Sequence, residues 1–162
     1  MDRLWAPWRA KYIAKLNSLK GCIFCSKPKA GNDRKNYIVA RTRHSFSILN
    51  LYPYSNGHMM VVPYRHVDSL TKLDKEEIAD LIALLNATQE LLSKTMGPDG
   101  FNIGINVGRA AGAGIKNHVH IHIVPRWSGD INFMPVSAST KVISESLGAL
   151  YDRLIKCSRE KK

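Results

Sequence analysis

No apolar run in this chain approaches the roughly 20 residues that a membrane-crossing helix needs, so a transmembrane protein is not expected. The segment MDRLWAPWRAKYIAKL mixes Trp, Arg and Lys throughout. It lacks the apolar block of a secretory signal, so a cytoplasmic location is expected. Cysteine is scarce, and three residues do not build a disulfide framework. Acidic side chains are also few, 13 against 24 Lys and Arg, which leaves a net charge of +11. That excess suits a polyanionic partner such as a nucleotide or nucleic acid, and it equally suits a solvated surface with a basic tail. No internal repeat is present, which excludes a solenoid.

What the chain does have is enough apolar content, 44% of 162 residues, for one packed domain. Residues 1–35 are basic and broken by Pro and Gly, and read as an arm plus a C-x-x-C loop. Short apolar stretches follow at 37–40, 46–51 and 58–63, the last two joined by the turn-forming YPYSNG, and read as three strands. Asp74 and Glu77 form a helix-start pattern. Ile78, Leu81, Ile82, Leu85, Leu91 and Leu92 then recur at spacings suited to one helical face, and Gly97-Pro98 ends the helix. FNIGINV (101–107) and HVHIHIV (118–124) read as further strands, and a last helix is expected from about Lys141, carrying Val142, Ile143, Leu147, Leu150, Leu154 and Ile155. The expected fold class is α+β: an antiparallel sheet of about five strands, one long central helix and a C-terminal helix. The chain divides into the arm and loop (1–35), a core (36–136) and a C-terminal helix with a basic tail (137–162).

Half of the six histidines fall within NHVHIHIVPRW (117–127), at His118, His120 and His122. On a strand, alternate residues share a face. The three imidazoles therefore face a cleft or solvent while Val119, Ile121 and Ile123 face the core. At a rise of roughly 3.3 Å per residue, the outer two leave the backbone about 13 Å apart. Three such rings do not converge on one metal, so the row divides its duties. GRAAGAG (108–114) precedes it, flanked by Arg109 and Lys116. Glycines allow successive N–H groups to turn inward around an anion. A phosphate-binding loop running into imidazoles that are unprotonated at neutral pH suits nucleophilic attack on a phosphoryl group.

Cys22 and Cys25 form the C-x-x-C and supply half of a tetrahedral zinc site. From the residues alone, His44, His58, His66 and His118 are all candidates for the other half, and two ordinary thiols remain the alternative. Cys157 reads as a packing residue.

The sequence HVHIHIVPRW, with NLYPYSNGHMMVVPYRH (50–66) and GAGIKN before the triad, resembles the histidine triad family over nearly the whole chain. PRWSGDINFMPV (125–136) and RLWAPWR (3–9) are most similar to its fragile-histidine-triad branch and, within it, bacterial diadenosine tetraphosphate phosphorylases. The resemblance implies that His120 is the nucleophile of a nucleotidyl-histidine intermediate, that His122 contacts the α-phosphate or helps the leaving group, and that His58 orients the triad. Asn50 would contact ribose, and Asn106, Gly112, Ala113, Gly114 and Ile115 would line the phosphate channel. Turn or strand-end roles are the alternative for Asn50 and Asn106. The metal ligands it implies are Cys22, Cys25, His66 and His118, in a structural zinc site. A dinucleoside polyphosphate substrate, phosphate or water as acceptor, and a homodimer are further expectations. A phosphoramidate hydrolase of the same family is the near alternative. A zinc-stabilised nucleic-acid-binding module, with LWAPWRAKY stacking bases, is the distant one.

Overall fold

The computed structural model describes residues 21–130 and 143–160. The segments LWAPWRAKY, 131–136 of the PRWSGDINFMPV stretch, and Lys141 and Val142 lie outside them. The described elements are α1 (Ile23–Lys29), α2 (Asp33–Asn36), β1 (Ile38–Arg41), β2 (Ser45–Leu49), β3 (Met59–Pro63), a short 3-10 turn (Leu70–Lys72), α3 (Lys75–Met96), β4 (Gly100–Ile105), β5 (Ile121–Arg126) and α4 (Leu147–Arg159). The five strands form one antiparallel sheet in the order β1-β2-β3-β5-β4. The α+β expectation is met. Among the described residues no helix is long and apolar enough to cross a membrane.

The sheet has two covered faces. Met59, Val61, Ile121 and Ile123 pack against Leu81, Leu84, Leu85, Leu91 and Leu92 of α3 and Leu150 and Leu154 of α4. On the other face Ile38, Phe46, Ile48, Met60 and Val62 pack against Phe24 of α1. Burying one Leu or Phe side chain stabilises by about 1.5–3 kcal/mol, so both faces are held by the hydrophobic effect.

α3 starts where expected. The Asp74 carboxylate accepts from Glu77 N, and the Glu77 side chain accepts from Asp74 N. Gly97, at φ +57, closes the helix in the left-handed region that glycine tolerates. The expected face is partly wrong, because Ile78 and Ile82 are 39% and 43% exposed. Leu84 and Thr88 are buried instead, so the stripe facing the sheet is rotated towards them.

Three boundaries also move. The C-x-x-C does not lie on a loop. Cys22 is the N-cap of α1, and its carbonyl accepts from Cys25 N and Ser26 N, both at 3.1 Å. β5 begins at Ile121, so His118 and His120 precede the strand rather than sit on it. The ladder stops there because the partner strand ends in Pro63, which has no N–H to donate. Val119 N turns to Val67 O at 2.6 Å instead. Finally, α4 begins at Leu147, not near Lys141. The Ser146 hydroxyl caps it by accepting from Ala149 N, and Ile143 lies before the helix.

Candidate active site and metal cluster

Cys22 and Cys25 are three residues apart at the start of α1, which puts their side chains on one side of the helix. His66 lies just beyond β3, and His118 just before β5. The chain brings one donor atom from each of the four within 4.8 Å of the others. His118 Nδ1 lies 3.3 Å from Cys22 Sγ, 3.6 Å from Cys25 Sγ and 3.2 Å from His66 Nδ1. His66 Nδ1 lies 3.3 Å from Cys25 Sγ.

The fit to a metal can be tested on His118. Its Nε2–H donates to the Pro63 carbonyl at 2.8 Å. Nδ1 is then the lone-pair nitrogen, and it points at two sulfurs and a second imidazole. Metal-ligating histidines typically fix their other ring N–H on a carbonyl in this way. Two thiols and two imidazole nitrogens that converge suit a tetrahedral ion of intermediate softness. Burial, with the adjacent Cys22 thiol, pushes the Cys25 thiol up, so proton release there depends on a nearby cation. Of the four candidates considered for the second half of the site, the structure brings in His66 and His118. His44 and His58 lie elsewhere.

His118, His120 and His122 do share a face, while Ile121 and Ile123 face the α3 core. That face is not open, however. His118 and His120 are 0% and 3% exposed. The Phe24 ring lies over them, with centroids 5.5 Å from His118 and 5.0 Å from His120. His120 Nδ1–H donates to the His118 carbonyl at 2.9 Å. That assigns the unprotonated lone pair to Nε2. Burial lowers the His120 pKa against the opposing pull of that carbonyl, so the ring is neutral at pH 7. A buried neutral imidazole with one fixed N–H presents a lone pair at its other nitrogen, the chemistry that nucleophilic attack needs.

His122 is set differently. Tyr54 N–H donates to His58 Nδ1 at 3.1 Å, and the Asn50 amide reaches the same nitrogen at 3.3 Å. His58 must then carry its proton on Nε2, which donates to His122 Nδ1 at 2.9 Å. The neutral His122 ring therefore bears its proton on Nε2. His58 is 1% exposed, with the Tyr54 ring at 4.6 Å from its own. The loop that carries it turns at Gly57, φ +75, where a Cβ would meet Met96 Sδ at 2.6 Å and Pro125 Cγ at 3.0 Å. Only glycine fits there.

Asn50 is 8% exposed, and its Oδ1 accepts from Tyr52 N at 3.0 Å. In the glycine-rich loop, Gly112 N donates to Arg109 O and Ala113 N to Gly108 O. Those two amides close the loop's own turns instead of facing outward as a nest. Ile115 packs on the Phe24 cluster, and its carbonyl accepts from His118 N. Asn106 lies just past β4, half-buried, and Gly114 is exposed. Sequence reasoning missed Phe24, Tyr54 and the Pro63 carbonyl. Phe24 was signalled by its place inside the C-x-x-C. The Pro63 carbonyl and the Tyr54 N–H are backbone groups, which leave no mark on residue type, although the Tyr54 ring also lies against His58.

A five-stranded antiparallel sheet with an imidazole row at the head of β5 defines a histidine triad fold. A HIT domain model matches residues 32–129, and the chain belongs to that family. It is similar to an AP-4-A phosphorylase of Mycobacterium tuberculosis, 37% identical over 91% of this chain and 79% of that one. It is also similar to an asymmetrical bis(5'-nucleosyl)-tetraphosphatase of Schizosaccharomyces pombe, 37% identical over 59% of this chain and 52% of that one. Among solved structures it resembles a histidine triad nucleotide-binding protein of Sulfolobus tokodaii, with TM-score 0.67 and 30% identity over 86% and 90% of the two chains.

Proposed function

We propose that this protein is an enzyme that cleaves dinucleoside polyphosphates such as diadenosine tetraphosphate through a nucleotidyl-histidine intermediate, with inorganic phosphate as the acceptor. The observation that carries the reading is the setting of His120: buried, neutral, with Nδ1–H on the His118 carbonyl and Nε2 bearing the lone pair. The likeness to an AP-4-A phosphorylase supports the substrate class.

In the first half-reaction, His120 Nε2 attacks the α-phosphorus and the bond to the bridging oxygen breaks. His122 Nε2–H hydrogen-bonds to the departing bridging oxygen, which leaves as the nucleotide's phosphate anion without taking that proton, and His58 holds His122 in that tautomer. In the second, phosphate attacks the same phosphorus and frees His120. Dividing one displacement into two lowers each barrier. Asn50, Asn106 and the 112–115 segment are the proposed contacts for ribose and phosphate, and binding there requires the bonds within the loop to rearrange.

We further propose zinc as the ion held by Cys22, Cys25, His66 and His118. With no ligand position left open it would be structural, fixing α1 to the triad. A homodimer is proposed from apolar surface without cover in one chain: Ile103 on the edge strand β4, Val107 beyond it, and Ile78 and Ile82 on α3. The whole chain is taken as one domain, with a cytoplasmic location.

The test is incubation of purified protein with diadenosine tetraphosphate, with and without phosphate, followed by chromatography. ADP plus ATP formed only with phosphate is expected. AMP plus ATP without phosphate would make it a hydrolase, and no consumption in either case would contradict the reading.

A further inference from the structure

Phe24 has no part in the chemistry above, yet it is 1% exposed and touches the rings of both His118 and His120. It lies between the two cysteines of the cluster. Among the described residues, three contacts restrain the orientation of His120. One hydrogen bond to the His118 carbonyl fixes Nδ1, and the rings of Phe24 and His122, centred 5.0 and 4.8 Å away, bound its swing. Two of these three restraints originate in the cluster. The carbonyl belongs to His118, whose side chain is one of the four donors, and Phe24 is carried on the backbone between two others.

We propose that Phe24 is a positioning residue for His120, and that the Cys22–Cys25–His66–His118 cluster sets the orientation of the nucleophile through Phe24 and the His118 carbonyl. The inference rests on His120 being the nucleophile. It adds that the donor cluster, although it touches no reacting atom, governs the rate of the chemical step. A displacement of about 1 Å at a reacting atom is enough to cost a large rate factor. Binding of the substrate, by contrast, draws mainly on Asn50, Asn106 and residues 112–114, which are not part of the Phe24 cluster, with Ile115 alone packed against it.

Two measurements test this. In the first, kcat and KM for diadenosine tetraphosphate are compared in wild type, Phe24→Ala and Phe24→Leu, each checked for metal content. Phe24→Ala is expected to lose about tenfold or more in kcat with KM changed less than about twofold, and Phe24→Leu to recover most of the loss. In the second, the protein is labelled with ring-15N histidine and the His120 tautomer is read by NMR. Metal-loaded wild type should show the Nδ1–H form alone. Phe24→Ala, and wild type stripped of metal by a chelator, should both show tautomer exchange at His120. An unchanged His120 signal in both, or a loss carried by KM alone, would overturn the proposal. Should Phe24→Ala not fold, Phe24→Leu and the stripped wild type carry the test. The NMR arm needs no turnover, so a protein inactive on dinucleoside polyphosphates would sink the functional reading without deciding this one.

Discussion

At the His118 end of the row, Nδ1 faces two thiols and a second imidazole, and Nε2–H is committed to the Pro63 carbonyl. At the His122 end, Nδ1 is met by a donor, His58 Nε2–H, at 2.9 Å. Between them, His120 Nδ1 is itself the donor. One side chain type thus takes three settings within five residues, and the partner of Nδ1 decides each. A lone pair aimed at two thiols and an imidazole suits a metal ligand, a fixed Nδ1–H leaves the lone pair on the far nitrogen, and an accepted bond leaves the far nitrogen a hydrogen-bond donor.

The contrast can be broken most severely at the His122 end. His58→Ala removes the donor that sets the His122 tautomer and is expected to cost about 10²-fold in kcat with little change in KM, as read by steady-state kinetics. An unchanged kcat would show that His122 needs no such help. At the other end, Cys22→Ser should lower metal content from about one per chain towards none and reduce the melting temperature by several degrees. The same change at Cys157, on α4 and away from the cluster, should do neither.

A smaller effect sharpens the comparison by titrating a support of the cluster end. The Arg65 guanidinium pairs with Glu77 beside His66, and this pairing, against the opposing effect of burial, holds the Glu77 carboxyl down to about 2 from its ordinary value of 4.5. A carboxyl lowered on folding stabilises fully above its unfolded value and loses that contribution as pH falls. The stability gap between wild type and Glu77→Gln should therefore be constant near neutrality and shrink from about pH 4.5 towards 2, in denaturant melts across pH. A gap that widens on acidification would reverse the sign. Smallest of all is Ser47→Ala. The Ser47 hydroxyl is buried with no hydrogen-bond partner among the described residues. Its removal should leave both ends untouched and stabilise by about 0.5–1 kcal/mol in the same melts.

Much of this arrangement was legible in the residues. The alternation of His with Val and Ile placed the row and its core face, and Asp74 with Glu77 placed the start of α3. What failed did so for local reasons. A ladder-ending proline on the neighbouring strand, Pro63, cannot be paired with His118 and His120 from spacing alone, so the strand seemed to begin too early. Val142 and Ile143 extend the apolar spacing of Leu147, Leu150 and Leu154, which puts the expected helix start near Lys141, whereas the Ser146 cap starts it at Leu147. The burial of the imidazole face came from α1, which the Pro and Gly content of residues 1–35 had disguised as a loop. Residue spacing alone left four histidines as candidate ligands; the family resemblance already implied His66 and His118, and the fold brings those two to the cysteines.

The most direct test asks whether His120 becomes covalently attached to substrate. Diadenosine tetraphosphate labelled at the α-phosphorus is mixed with protein, quenched in base within the first turnover and digested for mass spectrometry. A phosphoramidate-linked adenylyl group on the peptide bearing His120, absent from the His120→Ala protein, is the expected result. Consumption of substrate with no adduct on that peptide, or with full turnover by His120→Ala, would contradict it.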